Sequence, residues 1–235
     1  MGVPPSPALL YNVSNATNCP PFRVIISSIS PLIKDWRPVM SAIVALLVIY
    51  NKDATYMPLS TLCKETDQDK EGNPTYERII TVKLYCKGVC QSSADNLDLG
   101  ATQYYVRRSG QLIYGKQNFH NGAIGIVPVN LDKGLTSKDI PSFDIDESIC
   151  NPSYLLYYLQ YPSFYKSTEA LTTGSGSKRL KERDFLKIHI SLPSKKEQDE
   201  IASFLTKLSG KITNEVLILD NYNKQRSYLL SQMFI

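Results

Sequence analysis

The sequence predicts an α+β fold, in which a mixed α/β domain is followed by one long C-terminal helix. Between residues 76 and 129, short runs of β-branched and aromatic residues alternate with turn signals, which is typical of several short strands. From Lys195 onwards, apolar side chains instead recur in alternating steps of four and three, which is the spacing of a coiled-coil helix. A chain of 235 residues fits one such domain with an extension.

The composition argues against secretion and membrane insertion. The net charge of +4 is compatible with nucleic-acid binding but does not demonstrate it. The chain start lacks a signal peptide pattern, and the most apolar stretch, residues 39–50, is too short to span a bilayer core of about 30 Å. An odd number of cysteines favours reduced thiols in a cytoplasmic protein over a disulfide framework: Cys19, Cys63, Cys86, Cys90 and Cys150.

Residues 1–56 form an N-terminal extension to which the sequence assigns no fold. Residues 1–20 are rich in Pro, Asn and Ser, and they are predicted to be poorly ordered. Residues 22–50 are apolar enough for two short elements, which prolines keep from merging into one helix. One or two helical turns are expected over residues 59–65, at the entrance to the main domain.

The main domain covers residues 57–193 and alternates strands with turns. Its predicted strands, with a further possible one at 143–145, are 76–85, 103–108, 111–115, 122–129 and 185–192. Asn151-Pro152 predicts the start of a helix over residues 153–160, because proline is favoured in the first helical turn, and residues 164–171 are its possible continuation. A flexible loop is predicted over residues 172–177.

The long helix is predicted over residues 195–235, which makes a rod of roughly 55 Å at 1.5 Å per residue. Ser194 is its expected N-cap, with Glu197 as the capping-box partner. Only Glu215 and Arg226 interrupt its apolar seam, and such a seam requires a partner helix. The apolar seam residues that we predict to contact this partner are Ile201, Leu205, Leu208, Ile212, Leu219, Tyr222, Leu229 and Met233.

No catalytic or metal-binding set stands out in the sequence. His120 and His189 lie far apart, without a serine or cysteine in a nucleophile context. Cys86 and Cys90 form a single pair, whereas a zinc site normally needs four ligands, so ordinary thiols are expected.

Two tetrapeptides, at residues 73–76 and 151–154, come near the Asn-Pro-Pro-aromatic signature of amino-methyltransferases. Both lack the second proline, and no glycine-rich turn for S-adenosylmethionine precedes either, so a turn and a helix start are the expected structures. The segment at residues 174–179 lacks the spacing of a P-loop. We therefore expect no enzymatic activity, no metal and no bound cofactor in this chain.

The loop at residues 114–122 carries side chains that are suited to contacts with bases and phosphates. The amides of Gln117 and Asn118 have the donor and acceptor pattern that pairs with adenine, and Lys116 suits guanine or phosphate. The alternative is an ordinary polar hairpin loop with glycines at positive φ. The aromatic residues in and around this loop fit either a core or a nucleic-acid face: Tyr104, Tyr105, Tyr114 and Phe119.

The second candidate segment for DNA contact is the glycine- and serine-rich stretch at residues 174–179. Its glycines leave the backbone free to approach phosphates, and basic residues follow directly. The alternative is a solvated linker, and composition does not decide between the two. The complete predicted DNA-contact set is Tyr114, Lys116, Gln117, Asn118, Ser177, Lys178 and Arg179.

Several motifs, taken in order, resemble the specificity subunit of type I restriction–modification systems. The most telling are the Pro193–Gln198 entry to the long helix and the Gln232-Met233-Phe234 ending. The resemblance covers the chain from about Pro58 to its end. Its other motifs are Leu112–Asn118, Asn121–Gly125, Gly174–Leu180, Ile201–Leu205 and Leu229–Leu230.

The resemblance implies that residues 57–193 are a target recognition domain, which reads one half of a split DNA sequence. It implies that residues 194–235 are a spacer helix, which pairs antiparallel with another helix as a coiled coil. In this family methyltransferase subunits dock on the spacer helices, and the restriction subunits, which are translocases and endonucleases, join that core. The expected partners are thus double-stranded DNA and both kinds of subunit, while S-adenosylmethionine is bound by the methyltransferase partner and the specificity subunit itself is no enzyme.

This sequence holds one recognition domain and one long helix, where the full-length family pattern has two of each. It therefore resembles a half-length subunit or a separated C-terminal half. A homodimer formed through the long helix would read a palindromic split site. The alternative function is that of an interaction or decoy protein, which binds methyltransferase subunits through the coiled coil without reading DNA.

Overall fold

The computed structural model describes residues 54–66, 69–92, 102–172 and 179–233, together with Ile43 and Leu99. The predictions for residues 1–50, apart from Ile43, and for most of the loop at residues 172–177 lie outside this part of the chain. Within the described ranges, no helix is long and apolar enough to cross a membrane.

The strands are short, and their pairings in the described part of the chain are antiparallel. They are β1 (Thr55–Pro58), β2 (Cys63–Glu65), β3 (Lys70–Glu71), β4 (Ile80–Val82), β5 (Val89–Gln91), β6 (Tyr104–Arg107), β7 (Leu112–Tyr114), β8 (Ile124–Ile126), β9 (Gly134–Ser137), β10 (Ser142–Ile145) and β11 (His189–Leu192). Sheets form in the orders β2-β10-β7-β8 and β3-β6-β9, with two-stranded ribbons β1-β11 and β4-β5. The positions of β6, β7, β8 and β10 confirm the predicted strands there, while β1 crosses the predicted domain boundary between residues 56 and 57.

The described α-helices are α1 (Pro152–Leu159), α2 (Pro162–Ser167), α3 (Glu182–Leu186) and α4 (Lys195–Met233). The Asn151 side chain accepts hydrogen bonds from the N–H groups of Ser153 and Tyr154, which confirms the predicted start of α1. Pro162 begins a separate helix. Residues 164–171 are therefore the end of α2 and a 3₁₀ turn, and they do not continue α1.

Three predicted elements are only partly right. Residues 76–85 begin as a 3₁₀ turn, continue as β4 and end at a turn in which Tyr85 has positive φ. Residues 59–65 form one 3₁₀ turn followed by β2. Residues 185–192 begin inside α3, where Phe185 is fully buried, and only β11 is extended. Short apolar runs do not distinguish a buried strand from a short helix, which explains these errors.

An aromatic cluster forms the centre of the domain. The Tyr114 ring on β7 lies 4.7 Å from the Phe185 ring on α3, 5.3 Å from Phe119 and 5.9 Å from Phe143 on β10, measured between centroids. All four rings are fully buried. Because the cluster draws on residues far apart in sequence, it ties α3 to the four-stranded sheet and to the loop that follows β7.

Arg107 connects two sheets from within the core. Its guanidinium donates to Thr136 Oγ1 on β9 at 2.6 Å, to Ser142 Oγ on β10 at 2.8 Å and to the Ile140 carbonyl oxygen at 2.9 Å. The side chain is 1% exposed, and burial lowers the pKa of Arg107. Three neutral acceptors therefore hold a buried cation that spans the three-stranded and four-stranded sheets.

The beginning of α4 is fixed to the domain. The predicted capping box is confirmed, since Glu197 Oε2 accepts from Ser194 Oγ at 2.7 Å and from the Ser194 N–H at 3.0 Å. Gln198 is 1% exposed: its Oε1 accepts from the Asn151 N–H at 2.8 Å, and its Nε2 donates to the Pro193 carbonyl oxygen at 2.9 Å. These bonds clamp the first turns of α4 against the segment that starts α1.

The predicted seam of α4 divides into two parts. Leu205 is fully buried, and Ile201, Leu208 and Ile212 are half-buried. The C-terminal part of the seam is exposed in the single chain, with Leu219, Tyr222, Leu229 and Met233 between 60% and 74% exposed. The first half of the seam is thus partly buried within the chain, while the second half leaves an apolar stripe uncovered.

Candidate nucleic-acid interface

The loop at residues 115–123 joins β7 to β8 and is held by its own main chain. The Gly115 N–H donates to the Ala123 carbonyl oxygen, and the Ala123 N–H donates to the Asn118 carbonyl oxygen, both at 3.0 Å. Asn121 Nδ2 lies 3.3 Å from Asn118 Oδ1, and Asn118 is half-buried. Gln117 is exposed, so a well-anchored loop presents its amide to solvent.

The two segments that the sequence predicted for DNA contact meet at Lys116. The Leu180 N–H donates to the Lys116 carbonyl oxygen at 2.9 Å, and the Tyr114 hydroxyl donates to the Leu180 carbonyl oxygen at 3.1 Å. The Lys116 N–H in turn donates to the Asp139 carbonyl oxygen at 2.9 Å. The fold therefore brings the end of the glycine- and serine-rich segment next to the loop that carries Gln117.

Two residues of the predicted contact set lie in the protein interior. Tyr114 is fully buried within the aromatic cluster, and burial raises the pKa of its hydroxyl. The Lys116 ammonium lies 2.5 Å from Glu182 Oε1, with side-chain exposures of 11% and 18%. Neither side chain presents its polar group to the surface, which argues against direct DNA contact by either one. Both instead position the loop around them.

The remaining aromatic residues near the loop also belong to the core. Tyr104 and Tyr105 are 4% and 7% exposed, and Phe119 is fully buried. These rings offer no face on which a base could stack. Of the two interpretations that the sequence left open for them, the core interpretation is therefore correct.

Arg179 is an accessible basic residue at this edge. Its Nη1 lies 3.1 Å from Asp139 Oδ1, with side-chain exposures of 45% and 51%. An exposed pair of this kind contributes about 0–1 kcal/mol, so a phosphate can compete for the guanidinium. Ser177 and Lys178 lie outside the described residues, and their contact with DNA stays a prediction.

Sequence reasoning missed a third segment, the turn at residues 83–88 between β4 and β5. Tyr85 and Cys86 have φ of 59° and 56°, a conformation that costs on the order of 1 kcal/mol for each non-glycine residue. Their N–H groups donate to the carbonyl oxygens of Asn121 and Gly122 at 2.8 and 2.9 Å. The signal in the sequence was the pair of lysines, Lys83 and Lys87, around Tyr85, which the predicted strand at residues 76–85 concealed.

Gly122 allows this contact, which gives a testable prediction. Its φ is +72°, and a Cβ there would lie 2.9 Å from Cys86 Sγ and 3.1 Å from the Cys86 nitrogen. We expect Gly122→Ala to lower the free energy of unfolding by about 2–4 kcal/mol, because the positive φ and the clash both act. Urea titration monitored by circular dichroism measures the change.

Gly110→Ala is the matched control. Gly110 has φ +86°, with nothing within 4 Å of an added Cβ, so that variant reports the conformational cost alone, about 1–2 kcal/mol. Equal losses in the two variants would contradict the tight packing of the turn against the loop.

The described residues contain no group of three or more His, Cys, Asp or Glu side chains placed to hold a metal ion. His120 lies in the loop, where its buried Nδ1 has no hydrogen-bond partner among the described residues and its Nε2 is 3.2 Å from Asn121 Nδ2. Cys86 Sγ is directed at the Gln160 carbonyl oxygen, 3.7 Å away.

The comparisons with known proteins identify a family. The family model for the "Type I restriction modification DNA specificity domain" matches residues 62–219, about two thirds of the chain. No curated protein matches the sequence at a significant level.

Two solved structures share the fold. One is an HsdS subunit from Thermoanaerobacter tengcongensis, with 13% identity and a TM-score of 0.51, covering 83% of this chain and 48% of that one. The other comes from work on complex assembly and conformational transition of the type I R-M system, with 15% identity, a TM-score of 0.51, and coverage of 90% and 52%. The chain thus spans about half the length of these structures, and the likeness confirms the predicted α+β fold with a long C-terminal helix.

Proposed function

The chain belongs to the family of type I restriction modification DNA specificity domains, and from this membership we propose that it recognises one half of a bipartite DNA target in a type I restriction–modification complex. The family is defined by DNA recognition and not by catalysis, so the chain is a non-catalytic subunit. The observation that carries the proposal is the meeting of the Gln117 loop and the Arg179 segment at one accessible edge.

The chemistry of this edge suits double-stranded DNA. An exposed glutamine amide pairs bidentately with adenine in the major groove, and Asn118 beside it has the same donor and acceptor groups. The Arg179 guanidinium suits a phosphate, which would replace its exposed partner Asp139. Base reading by Gln117 and phosphate binding by Arg179 therefore form the core of the proposed interface.

The long helix supplies the assembly surface in this proposal. The uncovered stripe of Leu219, Tyr222, Leu229 and Met233 pairs antiparallel with the same helix of a second copy, which forms a homodimer with two recognition domains. Methyltransferase subunits dock on the outer faces of the paired helices, and restriction subunits join this core. The methyltransferase subunits bring S-adenosylmethionine, and the paired helices space the two half-sites.

The test combines methylation mapping with binding. The chain is expressed with its methyltransferase subunits, methylated motifs in the host DNA are sequenced, and a duplex with the motif is titrated at several salt concentrations. We expect Gln117→Ala to weaken specific binding by about 1–3 kcal/mol while sparing non-specific binding. Arg179→Ala should weaken both and reduce the log–log salt slope by about 1.

Arg108→Ala is the matched control for Arg179→Ala. Arg108 forms a comparable exposed pair, 2.9 Å from Asp69, in the turn that precedes β7, whereas the Gln117 loop follows that strand. Wild-type affinity is expected for this variant. A complex that methylates no motif, or that retains DNA no better than the methyltransferase subunits alone, would instead favour the interaction or decoy function. A palindromic split motif supports the homodimer, and an asymmetric one contradicts it.

A further inference from the structure

We propose that the turn at residues 83–88 is a further DNA-contacting element of this chain, in which Tyr85 enters a groove of the duplex while Lys83 and Lys87 contact phosphates. The inference rests on the proposed recognition of DNA. It adds a segment that neither the sequence motifs nor the family membership singles out. Its position, its backbone conformation and its side chains carry the argument.

The turn lies directly beside the Gln117 loop. The N–H groups of Tyr85 and Cys86 donate to the carbonyl oxygens of Asn121 and Gly122, and the missing side chain of Gly122 leaves the space that Cys86 occupies. Because these bonds join main chain to main chain, the turn and the loop form one continuous surface. The turn therefore lies beside the loop that carries Gln117.

The backbone of the turn is strained, and its bonds to the carbonyl oxygens of Asn121 and Gly122 hold it in that conformation. Two successive residues of the turn have positive φ, a conformation that Gly and Asn adopt more readily than other residues. This chain places Tyr85 and Cys86 there instead. The Tyr85 ring is 57% exposed, so burial of the side chain does not offset the strain. Strain that the surroundings enforce at an exposed residue points to a functional role for that residue.

The side chains of the turn match the chemistry of a duplex. Lys83 and Lys87 are exposed on either side of Tyr85, and residues 83–91 contain no acidic residue. Ammonium groups bind phosphates, which fixes the orientation of the protein on the duplex. The tyrosine ring offers an apolar face to sugars and thymine methyl groups, and its hydroxyl can donate to a base edge or a phosphate.

The test separates stability from binding. The chain, assembled with its methyltransferase subunits, is titrated against a fluorescein-labelled duplex that carries the mapped motif, and thermal unfolding is recorded for each variant. Asparagine tolerates positive φ, so Tyr85→Asn should melt at or above the wild-type temperature. It should nevertheless bind the duplex at least about fivefold more weakly. Lys83→Ala with Lys87→Ala should reduce the log–log salt slope by about 1 for each lysine.

Lys133→Asn is the matched control. Lys133 also has positive φ, at 60°, and is exposed, but its carbonyl oxygen accepts from Arg78 just before β4, away from the turn that follows this strand. This variant loses one lysine charge, as each lysine substitution in the turn does, and it relieves the same kind of strain as Tyr85→Asn. It should bind DNA like the wild type.

Each outcome decides between the proposals. Wild-type binding by both turn variants, with weakened binding by Gln117→Ala, overturns the inference and leaves the proposed function standing. A wild-type complex without preference for the motif duplex overturns both. If Tyr85→Asn fails to fold, the lysine pair decides, because exposed lysines change the salt slope without affecting the core.

Discussion

Replacing Lys116 by methionine should lower the free energy of unfolding by about 3–5 kcal/mol. The substitution keeps most of the side-chain volume but leaves the Glu182 carboxylate, only 18% exposed, without its ammonium partner at 2.5 Å. An unpaired charge in such a site keeps its desolvation cost and loses the attraction that offset it. Urea unfolding at neutral pH measures the change, and DNA binding should fall with it because the Gln117 loop loses its anchor on α3.

The double variant Lys116→Met with Glu182→Leu should recover most of the lost stability, since an apolar pair of similar volume often replaces a buried ion pair at little cost. Arg179→Ala removes an ion pair of the same kind at the surface, and it should lose about 1 kcal/mol or less. If Lys116→Met were as mild as Arg179→Ala, Lys116 would have to be accessible and could contact DNA.

Arg107→Ala should destabilise the protein about as much as Lys116→Met. We expect it to lower the free energy of unfolding by roughly 4 kcal/mol or more, comparable to the effect of truncating a large core residue. Arg107 is the largest of the fully buried side chains in the described residues, so its truncation opens a cavity between two sheets. It also removes three hydrogen bonds, to Thr136, Ser142 and the Ile140 carbonyl oxygen. Thermal and urea unfolding of the purified chain measure this loss.

Arg107→Lys separates the contribution of the guanidinium geometry from the contribution of filling the cavity. Lysine restores the charge and much of the volume, but a single nitrogen cannot reach three acceptors placed around a planar fork. We expect this variant to regain less than half of the loss. Full recovery would mean that volume and charge, and not the fork, hold β6 to β9 and β10.

The sequence was sufficient where a structural signal is local. Asn151-Pro152 and the Ser194–Glu197 box specify helix starts through contacts within four residues, and both are present as predicted. The turn after β6 ends at Gly110 with φ +86°, a conformation that glycine adopts readily, so the Ser109-Gly110 pair marks this turn locally. Such signals do not depend on the rest of the chain, which is why they can be read directly.

The candidate interface depended on contacts that no local pattern contains. Lys116 resembles a surface lysine in the sequence, and its burial follows from Glu182, more than sixty residues later. The positive φ of Tyr85 and Cys86 contradicts the preference of both residues, and it follows from the carbonyl oxygens of Asn121 and Gly122. Long-range pairing thus decided which of the predicted DNA contacts are surface residues, as it usually overrides local preference.

The hydrogen bonds of Gln198 to Asn151 and Pro193 fix the start of α4, so the rest of the helix acts as a lever about this point. From Leu205, the last buried residue of the helix, to Met233, the chain rises about 42 Å. A tilt of roughly 5° at the clamp moves the far end by nearly 4 Å, about the 3.4 Å rise of one base pair. If paired helices space two half-sites, the accuracy of that spacing is set by the angular stiffness of a few buried hydrogen bonds near Asn151. Substitutions around Gln198 should therefore make the number of base pairs between the half-sites variable before they weaken recognition of either half-site.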